Sequence, residues 1–327
     1  MNNKIVLLLS FQLILGILIG HFVGQNKLVY APVDAVPHLP AMTGLVGRLS
    51  SHVQMVNLSA PTQTSFRCIK SKTLLNHISP HMCLHDVHKD VFVSQAFRET
   101  TSIWEEEGVT RILQLLLRNP HLDFIDIGAN IGTYTMYAAA LGRFVLGIDC
   151  FLPNIERIHR AVQLTNVANR VVLIQNALFT SSGQYVRLSN DAKNIGGQEI
   201  DAASNQMGNL TTVNDPYLVR TIQFDELLPI LVARGIRGAL MKIDIEGSES
   251  FVVQSGRQIF DTFDIPFVLM EWMKVRAFAD RARVILDFFA QRQYEPRTYG
   301  CALLNADQHQ TWPGDICWVK KNVSNLC

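Results

Sequence analysis

The stretch Asp126-Ile-Gly-Ala-Asn-Ile-Gly132 follows a short apolar run, Leu122 to Asp126, and leads into a segment rich in small residues, Ile131 to Leu141. An apolar run, then glycines, then a helical segment is typical of a strand, a tight turn and a helix. Glycine permits the turn, and the helix start presents unpaired N–H groups to the polar end of a ligand. The stretch therefore predicts a ligand-binding turn.

The alternation of strands and helices continues on both sides of this turn. A helix is predicted at 104–117, further strands at 144–148, 171–174, 239–245 and 266–272, and further helices at 153–165, 248–260 and 280–293. This order predicts an α/β fold with a doubly wound, mostly parallel sheet. A last pair of strands, near 296–301 and 316–319, is predicted to close the sheet as an antiparallel C-terminal edge. The long polar segment from 181 to 215 is interpreted as a substrate-facing excursion.

Asp149 stands at the tip of the second strand, where a carboxylate can accept the hydroxyl hydrogens of a ribose. The tips of neighbouring parallel strands lie at one edge of the sheet, so the turn and this acid predict one nucleoside site. A dinucleotide fingerprint needs a further glycine where this chain has Ala129 and Asn130. Pyrophosphate, and with it a nicotinamide-dependent oxidoreductase, is therefore disfavoured.

Several blocks in order along the chain carry a family resemblance. They are Asp126-Ile-Gly-Ala-Asn-Ile-Gly132, the strand end at Asp149, Asn176-Ala-Leu178, Lys193-Asn-Ile-Gly-Gly197, Thr221-Ile-Gln-Phe-Asp-Glu-Leu227 and Lys242-Ile-Asp-Ile-Glu-Gly-Ser-Glu249. Together they resemble the FkbM-type S-adenosylmethionine-dependent methyltransferases, and the last block is the most specific. The matching blocks run from about Glu105 to Glu271.

The resemblance implies a class I, Rossmann-like methyltransferase sheet and O-methylation of a hydroxyl with S-adenosylmethionine as cofactor. It implies that the cofactor is bound by Glu105, Asp126, Gly128, Ala129, Asn130, Gly132, Asp149 and Asn176, with Asp149 on the ribose and Asn176 on the adenine. It also places Asn194 and Gly197 at the acceptor. Family members have Glu-Pro where this chain has Asp149-Cys150, so this chain departs from the family with a shorter carboxylate and no proline at this loop.

A hydroxyl acceptor requires a general base within hydrogen-bond reach. Asp244 and Glu246 at the end of the fourth strand are the first candidates, and Glu271 on the fifth strand is the next. Each has an alternative role: orientation of the cofactor's amino group for Asp244, and capping of the following helix for Glu246. Lys242 is interpreted as a structural or rim charge.

The N-terminal region predicts a membrane-tethered protein. Residues 1–25 are read as a signal anchor because Ile5 to Gly24 is apolar and about 20 residues span a bilayer, with a cleaved signal peptide as the alternative. Residues 26–65 are predicted to form a stem, 66–119 an N-terminal cap region and 120–327 the methyltransferase domain. Sequons at Asn57, Asn209 and Asn322 favour a luminal, single-pass type II glycoprotein of the secretory pathway, secreted if the segment is cleaved.

Six cysteines suit an oxidising lumen, and spacing suggests the pairs Cys68 with Cys83 and Cys301 with Cys317. The cluster of His77, His81, Cys83, His85 and His88 matches no common zinc spacing, so no metal site is predicted.

Charge excludes one class of partner. Lys and Arg total 29 against 28 for Asp and Glu, so nucleic acid is not implied as a partner. The expected partner is a small-molecule or glycan acceptor, and the oligomeric state is left open. A non-catalytic descendant that binds a glycan or protein remains the main alternative to an enzyme.

Overall fold

The structure is a computed structural model that describes residues 49–62, 65–99, 101–201, 215–321, 323 and 326. The predicted signal anchor, the stem up to residue 48 and the sequons at Asn209 and Asn322 lie outside the described residues. Within the described ranges, no helix has the length and apolar character needed to cross a membrane.

The order of elements confirms the predicted alternation. The first part of the chain contains β1 (Arg67–Lys70), β2 (His81–Leu84), α1 (Val93–Ala96), α2 (Glu106–Arg118), β3 (Leu122–Ile127), α3 (Thr133–Leu141), β4 (Val145–Asp149), α4 (Leu152–Thr165), β5 (Val171–Gln175), β6 (Ala177–Leu178) and β7 (Tyr185–Arg187). The second part contains β8 (Leu218–Ile222), α5 (Leu228–Ala233), β9 (Gly238–Ile243), α6 (Glu249–Ser255), α7 (Arg257–Thr262), β10 (Asp264–Glu271), α8 (Ala279–Gln291), β11 (Tyr294–Arg297) and β12 (Asp315–Lys320).

Seven of these strands form one sheet in the order β11-β12-β10-β9-β3-β4-β5. The strands from β10 to β5 are parallel to their neighbours, and β12 runs antiparallel to both β10 and β11. All six residues of β9 are buried, as expected for a strand covered by helices on both faces. Successive residues of β3 show the two layers, because Phe124 packs with α2, α3 and α4 while Ile125 packs with α6, α7 and α8.

One predicted detail is partly correct and another is wrong. The last two strands, β11 and β12, pair antiparallel and close the sheet as predicted, but β11 takes the edge position and the C-terminal strand β12 lies between β11 and β10. The helix predicted at 248–260 is broken at Gly256 into α6 and α7. A Cβ at Gly256 would stand 2.4 Å from the Phe224 ring, so the break lets the chain pass close to that side chain.

Residues 49–62, which the sequence assigned to the end of a stem, pack against the domain. Leu49, Val53 and Met55 are buried in the main core. The backbone of this segment also extends the free side of β5, with Val56 N donating to Leu173 O at 2.9 Å and Gln175 N donating to Gln54 O at 2.9 Å. This covers a sheet edge that would otherwise present unpaired backbone groups.

The described cysteines confirm one predicted pair and contradict the other. Cys68 and Cys83 form a disulfide that joins β1 to β2. Cys301 is also disulfide-bonded, but Cys317 is a buried free thiol in β12, so the predicted pairing of these two is wrong. Spacing alone could not show this, because it does not reveal that Cys317 lies as a buried thiol within the strand β12.

Candidate active site

The turn between β3 and α3 has the backbone that the glycines predicted. Gly128 has φ +79°, and a Cβ there would lie 1.7 Å from the backbone oxygen of Asp244 at the end of β9. Gly132 has φ +91°, and the intervening Asn130 also adopts a left-handed conformation with φ 52°. The turn is therefore pressed against the neighbouring strand at a distance that only glycine permits.

A cavity opens at the carboxyl ends of β3, β4 and β9. Three groups of residues line it. The turn and its helix contribute Gly128, Ala129, Asn130, Thr133 and Tyr134; the strand ends contribute Ile127, Ile148, Asp149, Cys150, Phe151, Asn176, Ala177, Leu178, Lys242, Asp244, Ile245, Glu246 and Ser248; and the covering segments contribute Val93, Trp104, Glu105, Gly196, Gly197, Gln198 and Ile200. The cavity lies where open α/β sheets bind ligands.

Asp149 joins the two strand tips as predicted. Its Oδ2 accepts the backbone N–H of Asn130 at 2.8 Å, and its Oδ1 accepts Phe151 N at 2.8 Å and Asn154 Nδ2 at 3.2 Å. A carboxylate offers about four acceptor sites, so Oδ2 retains one for a ribose hydroxyl. Burial raises the pKa of Asp149 to about 7, and the three hydrogen bonds oppose that rise.

The cavity walls fit the two ends of S-adenosylmethionine. Thr133 is buried at the first turn of α3, and among the described residues no group hydrogen-bonds its Oγ1. A helix start with a free hydroxyl suits a carboxylate such as that of the methionine end. Ile148, Phe151 and Leu178 supply apolar surface on the side of Asp149, where an adenine ring can pack.

Other predicted cofactor residues occupy structural positions. Asn176 lines the cavity, but its Oδ1 accepts Gln54 N at 2.8 Å and its Nδ2 donates to His52 O and Arg220 O, both at 3.1 Å. Its amide therefore anchors the segment 49–62. Asn176 can contact an adenine by packing against the ring, not through a hydrogen bond from this amide. Asp126 is not among the lining residues, because its Oδ2 accepts the N–H and hydroxyl of Thr135 under the turn.

Gly132 is likewise absent from the cavity wall, since its Cα faces Ile158, with a Cβ there only 3.0 Å from that side chain. Glu105 does line the cavity as predicted. Burial raises the pKa of Glu105, and the nearby Lys242 opposes that rise.

Lys242 is buried rather than at the rim, which corrects one reading of the sequence. Only 6% of the residue is exposed, and its Nζ pairs with Asp244 Oδ2 at 2.8 Å. The surrounding carboxylates of Asp244, Glu105 and Asp126 raise the pKa of Lys242 against the effect of burial, which holds the ammonium charged. This buried ion pair depends on both partners, because removing one would leave an uncompensated charge.

Glu246 lies on the opposite wall beside the covering loop. Its Oε2 pairs with Lys274 Nζ at 2.8 Å, and burial raises the pKa of Glu246. A Cβ at Gly197 would lie 2.7 Å from Glu246 Oε1 and 2.4 Å from Asn194 Nδ2. The structure thus brings Gly197, one of the two residues predicted to bind the methyl acceptor, against the predicted catalytic carboxylate. The other, Asn194, lies beside Gly197 but does not line the cavity.

The two remaining acidic side chains have other roles. Glu249, not Glu246, stabilises the turn before α6, because its Oε1 accepts Ile245 N at 2.9 Å and Gly247 N at 3.2 Å. Glu271 does not line the cavity, and burial beside Asp244, Glu246 and Glu249 raises its pKa to about 9. A carboxyl that keeps its proton at neutral pH does not suit a general base.

Some lining residues were not predicted from the sequence. Thr133 and Lys242 face the cavity directly, and Trp104, Gly196 and Gln198 cover it. For Thr133 a signal was present, since it is the first residue of the helix after the glycine turn. The covering residues depend on long-range packing that no local pattern encodes.

The class I methyltransferases have a sheet in this order. They share with this chain the antiparallel strand at the place of β12, the glycine turn after β3 and the acid at the tip of β4. The family model described as the methyltransferase FkbM domain matches residues 126–296, more than half of the chain. The chain belongs to the FkbM methyltransferase family, an enzyme family whose methyl donor is S-adenosylmethionine. The predicted family is thereby confirmed.

No curated protein matches the chain. Two solved methyltransferase structures show weak similarity to it. The O-methyltransferase from Bacillus cereus in complex with SAH has 12% identity and a TM-score of 0.37, over 66% of this chain and 82% of that one. Magnesium protoporphyrin IX methyltransferase from Synechocystis PCC 6803 with bound SAM has 11% identity and a TM-score of 0.35, over 66% and 79%. The family assignment rests on the sequence match alone.

Proposed function

We propose that this methyltransferase transfers a methyl group to a hydroxyl of a glycan or another acceptor of the secretory pathway, and that Glu246 is its general base. The observation that carries the proposal is a single cavity in which the glycine turn and Asp149 meet a half-buried carboxylate, Glu246. An O-methyltransferase needs this combination, because an alcohol must lose its proton as it attacks.

When bound, S-adenosylmethionine supplies a methyl group activated as a sulfonium and departs as a neutral thioether. The acceptor oxygen forms the new bond to the methyl carbon as the carbon–sulfur bond breaks, and the hydroxyl proton passes to Glu246. The protein contributes alignment and exclusion of water. Trp104, Gly196 and Gly197 line the cavity, and Gly197 lies against this carboxylate.

Glu246 suits proton transfer better than Asp244 because their cationic partners differ in exposure. Lys274, the partner of Glu246, is 37% exposed in its side chain and also pairs with Glu199, so protonation of Glu246 leaves a solvated cation. Lys242, the partner of Asp244, is buried, so protonation of Asp244 would leave a buried charge without its closest counter-ion. Asp244 is therefore assigned to holding Lys242.

The proposed compartment and topology rest on separate observations. Disulfides persist in the oxidising secretory pathway and are rare in the cytosol, and Cys68, Cys83 and Cys301 are all disulfide-bonded. The sequon at Asn57 stands in a segment whose Ser59 is exposed. The apolar segment Ile5 to Gly24 is proposed to anchor the chain with its domain in the lumen.

The acceptor is identified by incubating the full chain with methyl-labelled S-adenosylmethionine and separate fractions of glycans, lipids and secreted proteins. Label stable to alkali and released as a methylated sugar supports the proposal. Label confined to protein carboxyls or amines contradicts the choice of a hydroxyl acceptor. A folded chain that binds S-adenosylhomocysteine yet labels no fraction would instead support the non-catalytic alternative.

Glu246→Gln is expected to lower kcat by about a hundredfold or more, the usual contribution of a general base, while affinity for S-adenosylhomocysteine stays unchanged. Glu271→Gln is the matched control and should retain most activity, because burial raises the pKa of Glu271 to about 9 and glutamine resembles the protonated acid. Steady-state kinetics on the acceptor found above measure both variants. A larger loss of kcat in Glu271→Gln than in Glu246→Gln would assign the role of general base to Glu271.

A further inference from the structure

Asn154 on α4 hydrogen-bonds to three separate parts of the structure. The residue is fully buried. Its Nδ2 lies 3.2 Å from Asp149 Oδ1 at the tip of β4 and 2.8 Å from the carbonyl oxygen of Gly196 in the covering loop. Its Oδ1 lies 2.8 Å from His85 Nε2, in the cap region just after β2. One side chain thus joins the carboxylate proposed to bind the ribose, the covering loop at Gly196 and the cap region.

The chemistry of these partners fixes the orientation of the amide. An ionised carboxylate and a backbone carbonyl are both pure acceptors, so the Asn154 atom between Asp149 and Gly196 must be the NH₂ group. The opposite atom is then the carbonyl oxygen, which requires a donor from His85. Burial lowers the pKa of His85 to about 4, so the imidazole is neutral and carries its single proton on Nε2.

His85 is itself held in place by buried contacts. Its backbone N–H donates to Ser94 Oγ at 3.0 Å, and the fully buried Asp90 accepts Ser94 N at 2.8 Å. The same segment pairs with the covering loop, with Val91 N donating to Lys193 O at 3.0 Å and Ile195 N donating to Lys89 O at 3.1 Å. The imidazole therefore has a fixed position from which to hold the amide.

We infer that His85 and Asn154 are positioning residues that hold the Asp149 carboxylate and the covering loop in the geometry required for cofactor binding. The inference rests on the proposed cofactor site. Without the donor at position 85, the Asn154 carbonyl oxygen is left buried and unpaired, which costs free energy. Relief of that cost requires the Asn154 side chain to shift, and a shift weakens its bonds to Asp149 and to the Gly196 carbonyl.

The arrangement also influences the protonation of Asp149. The hydrogen bond from Asn154 lowers the pKa of Asp149, whereas burial and the nearby Asp126 raise it. Within the described ranges, the Cys150 thiol also interacts electrostatically with Asp149, and burial raises the pKa of that thiol. Loss of the Asn154 bond should therefore move the titration of Asp149 to higher pH. A role limited to folding would not produce this shift.

The test is calorimetric titration of the full chain with S-adenosylhomocysteine at several pH values for the wild type, His85→Leu, Asn154→Leu and His85→Gln. Both leucine variants should raise Kd at neutral pH by about tenfold, as expected for loss of a buried hydrogen bond to a charged group. Their affinity should recover at higher pH than that of the wild type. His85→Gln should restore most of the affinity, because its amide can donate to Asn154.

His159→Leu is the matched control, since His159 is equally buried on α4 but bonds to Gln163, away from the cavity. It should lower the melting temperature without changing Kd. The inference is overturned if the leucine variants bind as the wild type does, if their loss is equal at every pH, or if His85→Gln binds no better than His85→Leu. A folded wild type that binds no S-adenosylhomocysteine would reject the cofactor site itself.

Discussion

Gly128→Ala is expected to abolish binding of S-adenosylhomocysteine and to reduce the free energy of unfolding by about 3 kcal/mol, from left-handed backbone strain plus overpacking. The φ of +79° disfavours any side chain, and the added Cβ would overlap the backbone oxygen of Asp244 at 1.7 Å. Since that oxygen belongs to the chain just after β9, the turn must move away from the cavity. Denaturant unfolding and calorimetric titration measure the two effects.

Gly300→Ala provides the control for this substitution. The nearest atom to a Cβ at Gly300 is Thr298 Oγ1 at 3.8 Å, an ordinary contact distance. The control should therefore keep both stability and affinity. Wild-type affinity in Gly128→Ala would show that the turn does not contact the cofactor.

Asp149→Asn is expected to raise the Kd for S-adenosylhomocysteine by about a hundredfold, which is the upper range for a hydrogen bond to a buried charge. The amide that replaces the carboxylate carries an NH₂ group among the donors Asn130 N, Phe151 N and Asn154 Nδ2. The ribose hydroxyl then loses its acceptor. Asp261→Asn, whose carboxyl is 60% exposed and pairs with Arg292, is the control and should bind normally.

The pH dependence of wild-type binding follows from the same residue. Burial raises the pKa of Asp149 from 3.8 to about 7, so the acceptor form predominates only above that pH. Affinity should fall as pH drops through about 7, and Asp149→Asn should show no such step. The stability of the free protein depends on pH in the opposite direction to its affinity. The contribution of Asp149 to stability is present at low pH and is lost as pH rises through 7. Wild-type affinity that is constant across this range would contradict the role of Asp149.

The central strands could be placed along the chain from the sequence, because each is a short apolar run followed by a turn and a helix. The placement of Gly128 and Asp149 followed from the same local rule, since the tips of neighbouring parallel strands share one edge. The position of β12 between β10 and β11 was harder to predict, because pairing with both strands is a property of the whole sheet. A local pattern shows that a strand exists but not which neighbour lies outside it.

The cavity wall shows the same division between local and long-range information. Asn176 has the expected position, yet its amide binds residues 52 and 54, which are far away in the sequence. The sequence left Lys242 as either a structural or a rim charge, because the carboxylates of Glu105 and Asp126 that surround it come from other elements. His85 stood out only as part of a histidine cluster, and its bond to Asn154 depends on how the cap region folds over α4.

The most direct test is a crystal structure of the full chain with S-adenosylhomocysteine. We expect the ribose on Asp149 Oδ2, the amino-acid end beside Thr133 and the sulfur facing the wall that carries Glu246. A ligand bound elsewhere, or a cavity closed by protein side chains while the ligand is present, would contradict the claim that the glycine turn and Asp149 together hold the methyl donor.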